Sequence, residues 1–375
     1  IHMRASPTPP AEDGGYMPGE WDSHACVWMA WPYQWWRDDC GPAQRAVLDV
    51  AEAISRFEPV RMLVTTEQYC HALQRLQKVH DPEAAGGPAA EANIQLVLAE
   101  YDDIWLRDTG PTFIRAGNRV TSVSWRFNGW GNKIPELKHD DSVSYQIQAM
   151  EDRHGGYTCP AVLEGGSFHV DGEGTLITTE ECVLHKNREC PEFKVRSKES
   201  MNKIFHDYLG VTKVIYLPYG VGEDVDTDGH VDNLAAFVSP GHVLLTFPES
   251  DSHPQYPRSL AALEVLSKAT DAKGRALVVH KIPHPPVMYR QSDEAEMDNA
   301  VYTARVEQQQ LAGSYVNFVM TGGGIVMPRF HVATDKRAKE VMAELFPDKE
   351  IVMVDGREIL LGGGNFHCIT QQQPQ

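Results

Sequence analysis

Residues 108–125 begin with the turn-like sequence DTGPTFIRAG and continue, from residue 120, with the run VTSVSW. Threonine, glycine and proline mark the turns, and β-branched and aromatic residues mark the two runs beside them. This order of turn, strand, short turn and second strand predicts a β-hairpin. The same order returns along the chain, so this stretch is the unit from which the fold is built.

Three further segments repeat this pattern, and the last repeat near the C-terminus lacks its second strand. These segments begin with EGGSFHVDG (164–172), GHVDNLAAF (229–237), TGGGIVMP (321–328) and GGGNFHCIT (362–370). The strand-like run ACVWMAW (25–31) has no hairpin partner of its own. We expect it to complete the last repeat, because a terminal strand that closes a ring of repeats removes exposed sheet edges.

Helical stretches lie between the hairpins, and each precedes another strand-like run. The predicted helices cover residues 44–57, 198–208, 259–269 and 337–346. A hairpin, a helix and a further strand, repeated about five times, predict an α/β fold with the architecture of a five-bladed, pseudo-symmetric α/β propeller. We expect one catalytic domain over residues 15–375, closed by its N- and C-terminal strands. Residues 1–14, which begin with what resembles a cloning remnant, are expected to form a flexible arm.

The composition is that of an ordinary globular chain, with 42% hydrophobic and 23% charged residues among 375. No apolar run approaches the roughly 20 residues that cross a bilayer, so no membrane partner is expected. The formal net charge of −18 argues against nucleic acid, because phosphate binding needs concentrated lysine and arginine. An acidic surface suits a cationic ligand, although solubility is the simpler explanation of the net charge taken alone.

The cysteines indicate the compartment and single out one thiol. There are seven, without any Cys-x-x-Cys pair, which disfavours a zinc ribbon or a thioredoxin-type motif. Scattered unpaired cysteines fit a reducing compartment, and we expect a cytoplasmic protein. Cys368 stands out because it follows three glycines, which remove every Cβ from the approach of a ligand. Gly363 and Gly364 are therefore candidate substrate-binding residues.

The turns that precede the hairpins carry the chemically useful side chains. In a ring of repeats these turns would meet at one end of the central axis. In chain order the side chains are Trp105, Asp108, Glu164, His230, Asp232 and Cys368. Taken singly, a carboxylate here could cap a turn and a histidine could be an ordinary hydrogen-bonded residue. Their recurrence at the same place in successive repeats favours a shared site.

The spacing of the histidines suggests which of them handles protons. His230 and Asp232 are two residues apart, so in an extended strand their side chains point to the same face. His367 would point away from its neighbour Cys368, so we expect His230 to be the general acid and base. A free thiol, with a pKa of about 8.5, is mostly protonated at neutral pH, and a histidine partner is the usual source of a reactive thiolate.

A thiol among carboxylates indicates a cationic substrate. Ester or amide chemistry would develop an oxyanion, which neighbouring carboxylates would destabilise. A guanidinium group is permanently positive and presents five donors that carboxylates accept in pairs. Asp108, Glu164 and Asp232 could hold such a group with its central carbon against Cys368. Trp105 could stack on its plane or flank an aliphatic chain.

Five motifs in this order resemble those of the agmatine deiminases, a branch of the guanidine-modifying superfamily. The motifs are WLRDTGP (105–111), FNGWG (127–131), LEGG (163–166), GHVDN (229–233) and GGGNFHCITQQ (362–372). The resemblance covers essentially the whole chain after about residue 15. It implies a pentein fold of five α/β blades and no metal or organic cofactor.

The resemblance also implies a reaction and residue roles. The substrate would be the small cation agmatine, hydrolysed to N-carbamoylputrescine and ammonia on the way to putrescine. Cys368 would attack the guanidinium carbon to form a covalent amidino-cysteine, and His230 would serve as acid and base. Asp108, Glu164 and Asp232 would orient the substrate. A homo-oligomer, first of all a dimer, is the expected assembly.

Three alternatives remain open on the sequence alone. Arginine deiminases are similar but hold the substrate carboxylate with arginines. Residues 358–367 contain none, although Arg107, Arg126 or an arginine distant in sequence could enter the site. A metal-dependent ureohydrolase would need clustered aspartate and histidine ligands, of which residues 230–232 supply a fragment. A non-catalytic scaffold predicts that Cys368 reacts with thiol reagents no faster than Cys40 or Cys70.

Overall fold

The computed structural model describes residues 8–33, 40–79, 93–151, 155–294 and 307–375. Within these ranges the helices of more than ten residues are α1 (Gly41–Ser55), α2 (Tyr69–Val79), α3 (Asp140–Glu151), α4 (Lys198–Leu209), α5 (Tyr256–Leu266) and α6 (Thr334–Leu345). Shorter helical turns, named below by their bounds, lie beside several strands.

The strands are short and evenly distributed along the described chain. They are β1 (His24–Ala30), β2 (Val60–Val64), β3 (Ile94–Leu98), β4 (Thr112–Ala116), β5 (Arg119–Arg126), β6 (Tyr157–Val162), β7 (Phe168–Val170), β8 (Thr175–Thr179), β9 (Lys213–Leu217), β10 (Ala235–Ser239), β11 (His242–Phe247), β12 (Val278–Pro283), β13 (Met288–Tyr289), β14 (Gln310–Leu311), β15 (Val319–Met320), β16 (Gly324–Arg329), β17 (Glu350–Asp355) and β18 (Gln371–Pro374).

Four three-stranded sheets share one topology, in the strand orders β4-β5-β6, β7-β8-β9, β10-β11-β12 and β15-β16-β17. In each sheet the first two strands form an antiparallel hairpin, and the third strand pairs in parallel with the second. A parallel pair needs a crossover connection, and α3, α4, α5 and α6 lie in these crossovers. The predicted order of hairpin, helix and strand is confirmed; helix α3 is an addition to the predicted set.

A fifth sheet, in the order β18-β1-β2-β3, joins the two ends of the described chain. β1 runs antiparallel to β18, with Trp28 opposite Gln371 and His24 opposite Pro374. It also pairs in parallel with β2, and α1 lies in the crossover between them. The predicted pairing of the N-terminal strand with the last repeat is thereby confirmed.

The fourth repeat differs from its prediction in where the glycine-rich turn lies. β15 ends at Met320, before the glycines at 322–324, so these glycines form the turn inside the hairpin. The turn that precedes the hairpin is instead around residues 314–318. Glycine favours tight turns in general, so the sequence pattern could not distinguish the two positions. The turn before the hairpin therefore contains Asn317, two residues before β15.

The apolar core is shared among helix and sheet faces along the described chain. Val47, Val50 and Ile54 are buried on one face of α1, where they contribute to the largest apolar cluster together with Trp28 of β1. Such burial of one helix face is what the helical spacing predicts. In the described part, no helix is both long and apolar enough to span a membrane.

The predicted N-terminal arm is described only from residue 8. A short 3-10 helix, Pro10–Asp13, follows, and Pro10 is buried. Further along, Met17 N–H donates to the carbonyl of Leu209 at the end of α4 (3.0 Å). Residues 8–14 are thus attached to the domain, and residues 1–7 lie outside the described ranges.

Candidate active site

The chemically useful side chains come from the turns that precede the first strand of each hairpin. Short helical turns at Leu106–Thr109, Gly165–Ser167 and Val231–Asn233 lead into β4, β7 and β10. Residues 365–370 form the corresponding turn before β18. All the side chains concerned are buried: Trp105, Asp108, Glu164, His230, Asp232, Asn317 and Cys368.

Gly166 marks the point at which three of these side chains converge. A Cβ placed on Gly166 would lie 2.6 Å from His230 Nδ1, 2.9 Å from Asp232 Oδ2 and 3.0 Å from Asp108 Oδ1. Asp108, His230 and Asp232 therefore converge as predicted, but residues 231–233 form a 3-10 turn, so the extended strand from which the shared face of His230 and Asp232 was predicted is wrong. Only glycine leaves the space between them open, because any other side chain would push these polar groups apart.

Cys368 is held beside this space by an asparagine and a carboxylate. Asn317 Nδ2–H donates to the sulfur (3.0 Å), and the sulfur lies 3.5 Å from Asp232 Oδ2. Asn317 Oδ1 also accepts from the Cys368 backbone N–H (3.3 Å). Burial raises the pKa of the Cys368 thiol well above its usual value, and the charges of Asp232 and Asp108 raise it further. Without a cationic ligand, Cys368 is a protonated thiol.

His230 faces carboxylates rather than the thiol. Its Nδ1 lies 3.8 Å from Asp108 Oδ1, and its Nε2 lies 4.0 Å from Glu164 Oε2. Burial opposes a charge on the ring, but the neighbouring Asp108 raises the pKa of His230 well above its usual value. Among the described residues, neither ring nitrogen has a close oxygen or nitrogen partner, but the Cys182 thiol lies beside the ring and also raises the pKa of His230. The ring is thus a buried imidazolium.

Asp108 accepts hydrogen bonds from two neutral donors. Trp130 Nε1–H donates to Oδ2 (2.9 Å), and the backbone N–H of Gly166 donates to Oδ1 (3.0 Å). Burial raises the pKa of Asp108 to about 6, and this value is the outcome after His230 lowers it and Asp232 raises it. The carboxylate therefore carries its charge at a cost, which a guanidinium would relieve.

Glu164 has a permanent cation beside it. Arg188 Nε–H donates to Glu164 Oε1 (3.1 Å), and Arg188 also pairs with Asp228 and donates to the carbonyl of Thr227 (2.7 Å). Burial acts to raise the pKa of Glu164, but Arg188, and after it His230, lower it below the usual value. Glu164 is consequently ionised and anchored, with Oε2 directed toward His230.

A pocket opens from this cluster toward the surface. It encloses about 380 Å³ of space, part of which is open to solvent. The lining consists of Trp105, Asp108, Trp130, Ile134, Asp226, Thr227, Asn233, Gly362, Gly363, Gly364 and Cys368. A Cβ on Gly364 would lie 2.7 Å from the Trp105 ring and 3.1 Å from the Cys368 sulfur. Glycine here keeps the path to the thiol open.

Three residues of this site escaped the sequence prediction. Trp130 lies in a quoted motif to which no role was given, and its φ of 52° with Gly131 at 88° shows the strained turn that aims its indole at Asp108. Asn317 could have been found by aligning the fourth hairpin on β15 rather than on its glycines. Arg188 carried no signal, since it lies outside the repeated turns.

Sequence comparison assigns the chain that carries this site to a known protein family. The chain belongs to the Porphyromonas-type peptidyl-arginine deiminase family, whose sequence model matches residues 16–374. Agmatine deiminases from Stutzerimonas stutzeri and Pseudomonas aeruginosa are each 46% identical to it, over 376 and 374 residues, and in both cases 97% of each chain is covered. The solved structure of the agmatine deiminase of Enterococcus faecalis is similar over 99% of both chains, with a TM-score of 0.90 and 36% identity.

Proposed function

We propose that this protein hydrolyses agmatine to N-carbamoylputrescine and ammonia, with Cys368 as the nucleophile. The observation that carries the proposal is a buried thiol 3.5 Å from the carboxylate of Asp232, in a pocket where Asp108 and His230 converge on the same space. The relatives that are 46% identical over 97% of their length are agmatine deiminases, which supports this reading.

The charges of the site favour a guanidinium over a neutral substrate. Asp232 Oδ1 is buried and, among the described residues, has no hydrogen-bond donor. A guanidinium would supply that donor and would relieve the cost of ionising Asp108. Its fixed positive charge beside the sulfur would also lower the pKa of Cys368 toward the thiolate that attacks. Binding and activation of the nucleophile would therefore be one event.

The first half of the reaction forms a covalent intermediate. The thiol proton passes by way of its nearest acceptor, Asp232 Oδ2, to solvent, so that Asp232 stays ionised, and the sulfur forms a bond to the central guanidinium carbon. The C–N bond to one terminal nitrogen then breaks, and the His230 imidazolium donates the proton with which ammonia leaves. The product of this step is an S-amidino-cysteine on Cys368, still positively charged and still held by the carboxylates.

The second half of the reaction uses the same histidine in the opposite sense. His230, now neutral, takes a proton from a water molecule, whose oxygen bonds to the amidino carbon. The C–S bond breaks and the sulfur takes up the proton of the newly added hydroxyl, which releases N-carbamoylputrescine and restores the Cys368 thiol. His230 can play both parts because it lies between Asp108 and Glu164, which stabilise its protonated form.

The finer features of the sequence prediction belong to the same proposal. We infer a five-bladed, pseudo-symmetric pentein arrangement, since four sheets share one topology and the fifth joins the two chain ends. We further infer a role in putrescine biosynthesis, a cytoplasmic location and a homodimeric assembly. All seven cysteines are free thiols, which supports a reducing compartment.

The nucleophile is tested by two substitutions of Cys368. Cys368→Ala should abolish ammonia release from agmatine, and Cys368→Ser should do nearly the same because an alcohol is far harder to ionise than a thiol. Mass spectrometry of the quenched wild-type enzyme should show the amidino adduct on the peptide that contains Cys368. Cys70→Ser, at an exposed free thiol, is the matched control and should retain activity. Appreciable turnover by Cys368→Ala would contradict the covalent mechanism.

The choice between agmatine and arginine is tested by kcat/KM. The two arginines that the sequence left open are engaged elsewhere: Arg107 Nη1 lies 3.5 Å from Glu20, and Arg126 binds Asp141 (2.9 Å). The described lining of the pocket contains no arginine that could hold a substrate carboxylate. We expect kcat/KM for agmatine to exceed that for arginine by on the order of 100-fold or more. Equal values would favour an arginine deiminase.

A further inference from the structure

A buried group of charged and titratable side chains lies behind the reacting thiol and has no part in the steps above. It consists of Glu20, Arg107, His169 and His367, and we call it the rear cluster. Each of its members is less than a tenth exposed. Glu20 comes from the segment before β1, outside the repeated turns, so no repeat pattern pointed to it. His367 adjoins Cys368 in the chain.

His367 bridges two carboxylates. Its Nε2 lies 2.8 Å from Glu20 Oε1, and its Nδ1 lies 2.9 Å from Asp232 Oδ2. Ionised carboxylate oxygens accept hydrogen bonds and do not donate them, so both ring nitrogens of His367 donate. The ring is therefore an imidazolium. With Arg107, whose Nη1 lies 3.5 Å from Glu20 Oε1, two positive charges balance the two carboxylates.

The donor pattern of the rear cluster does not suit a metal ion. Glu20, His169 and His367 have ligand atoms close enough to hold one. However, the N–H of Phe237 donates to His169 Nδ1 (3.3 Å), which leaves the proton of that ring on Nε2, facing Glu20 (3.5 Å). A metal needs a lone pair on the nitrogen that faces it. Hydrogen bonds to Glu20 account for this geometry.

The atom of Asp232 that His367 contacts is the atom that faces the reaction. Asp232 Oδ2 lies 3.5 Å from the Cys368 sulfur and borders the space at Gly166. Burial would raise the pKa of Asp232, but the hydrogen bond and charge of His367 lower it below its usual value. The charge of Asp232 thus depends on the charge of His367.

We propose that His367 and Glu20 are positioning residues: His367 holds Asp232 ionised and oriented toward the substrate, and Glu20 keeps His367 protonated. The inference rests on the proposed function, in which Asp232 binds the guanidinium. Glu20 contacts His367 Nε2, and His367 Nδ1 in turn contacts Asp232, so the influence of Glu20 on the reaction passes through His367.

The charged groups that face His367 come from four elements. They are Asp232 from the turn before β10, Glu20 from the segment before β1, Arg107 from the turn before β4 and His169 of β7, whose ring stacks on His367 at 6.0 Å. Burial and Arg107 act to lower the pKa of His367, while Glu20 and Asp232 raise it above its usual value. Removing the charge of Glu20 should therefore let the ring lose its proton at lower pH.

The central test is the substitution Glu20→Gln, which keeps the shape and removes the charge. We expect kcat/KM for agmatine to fall on the order of 10-fold to 100-fold at neutral pH, because Asp232, which binds the guanidinium, would be misplaced. The alkaline limb of the pH profile should move to lower pH, because His367 loses its proton, and with it the hydrogen bond and charge that hold Asp232, at a lower pH than in the wild type. A profile that keeps its alkaline limb at the wild-type pH would overturn the proposal.

Glu58→Gln is the matched control. Glu58 Oε1 lies 2.9 Å from His24 Nδ1 in a second buried histidine–carboxylate pair, away from the pocket. Its substitution makes the same chemical change in another buried histidine–carboxylate pair. We expect an unchanged pH profile for this variant. If Glu58→Gln moved the alkaline limb as far as Glu20→Gln, the effect would be structural and the proposal would fail.

A double-mutant cycle tests whether Glu20 acts through His367. His367→Gln alone should lower kcat/KM at least as much as Glu20→Gln. In the variant with both substitutions, the losses in kcat/KM should not multiply, because Glu20 acts on His367 and His367 is already absent. Multiplying losses would show that Glu20 acts by another route.

A measurement on the wild-type protein serves if Glu20→Gln fails to fold. Nitrogen-15 resonances of labelled histidine, with His367 assigned from the spectrum of His367→Gln, report the protonation of each ring nitrogen. We expect both nitrogens of His367 to be protonated at about pH 7. A neutral ring would overturn the proposal. This measurement needs no turnover, so a wild-type protein inactive on agmatine would refute the proposed function without deciding the state of His367.

Discussion

At the scale of single residues, three buried carboxylates in one site have different pKa values because their partners differ. Glu164 has Arg188 and Asp232 has His367, and these cations hold both pKa values below the usual range against the effect of burial. The donors to Asp108 are an indole and a backbone amide, both neutral, so burial dominates and its pKa rises to about 6. Asp108 is thus the carboxylate with most to gain from a cationic substrate.

The substitution Asp108→Asn should reveal this cost as a change in stability with pH. A native pKa of about 6 lies above the unfolded value of 3.8, so the native state binds the extra proton between these values and loses stability as pH rises through them. Relative to wild type, the variant should therefore gain about 3 kcal/mol between about pH 4 and about pH 7. Urea unfolding at several pH values measures the difference.

Comparing the two proteins across pH removes constant effects of the amide, such as a lost hydrogen bond from Trp130 or Gly166. The same variant should lose agmatine turnover, because an amide cannot neutralise the guanidinium. A stability difference independent of pH would show that Asp108 has an ordinary pKa in the folded protein.

At the scale of elements, the same structural feature contributes to the site in several repeats. A short helical turn precedes the first strand of several hairpins and directs a polar side chain inward before the chain extends: Asp108 before β4, Asp232 before β10 and Cys368 before β18. The glycines of these turns provide the space. Gly166 has an ordinary φ, so its importance lies in its missing side chain and not in its backbone conformation.

Gly166→Ala should therefore impair catalysis by filling the site. The new Cβ would come within 3.0 Å of His230, Asp232 and Asp108, and each would have to move. We expect kcat/KM to fall on the order of 100-fold, the effect of misplacing reacting groups by about 1 Å. Steady-state kinetics on agmatine provide the measurement.

Gly322→Ala is the control for Gly166→Ala. A Cβ at Gly322 would meet only Glu58 Oε2, at 3.9 Å, and Gly322 also has no positive φ. It should retain wild-type kcat/KM. Full activity of Gly166→Ala would mean that the side chains can spread without loss, and the convergence at Gly166 would then have no catalytic meaning.

At the scale of the whole molecule, the two ends of the chain meet next to the nucleophile. β18 begins three residues after Cys368 and pairs with β1. Gln373 of β18 ties this sheet together: its Oε1 accepts from Trp28 Nε1–H (2.9 Å), and its Nε2–H donates to Glu151 at the end of α3 (2.9 Å). Trp28 is fully buried, so its N–H depends on this acceptor.

Gln373→Ala should lower the free energy of unfolding by about 1–3 kcal/mol, because it leaves a buried indole N–H without an acceptor. Urea unfolding measures the change, and Gln375→Ala, at an exposed side chain, is the control that should unfold like wild type. Equal midpoints for the two variants would show that the contact between β18 and β1 through Gln373 contributes no stability.

The sequence by itself determined the repeated order of hairpin, helix and strand, the pairing of β1 with β18 and the convergence of Asp108, His230 and Asp232, because apolar periodicity and turn residues act over short distances along the chain. Only the tertiary structure decided the charge partners. Arg188 and Glu20 reach the site from segments outside the repeated turns, and Coulomb energies depend on separations of a few ångströms that no spacing along a chain specifies.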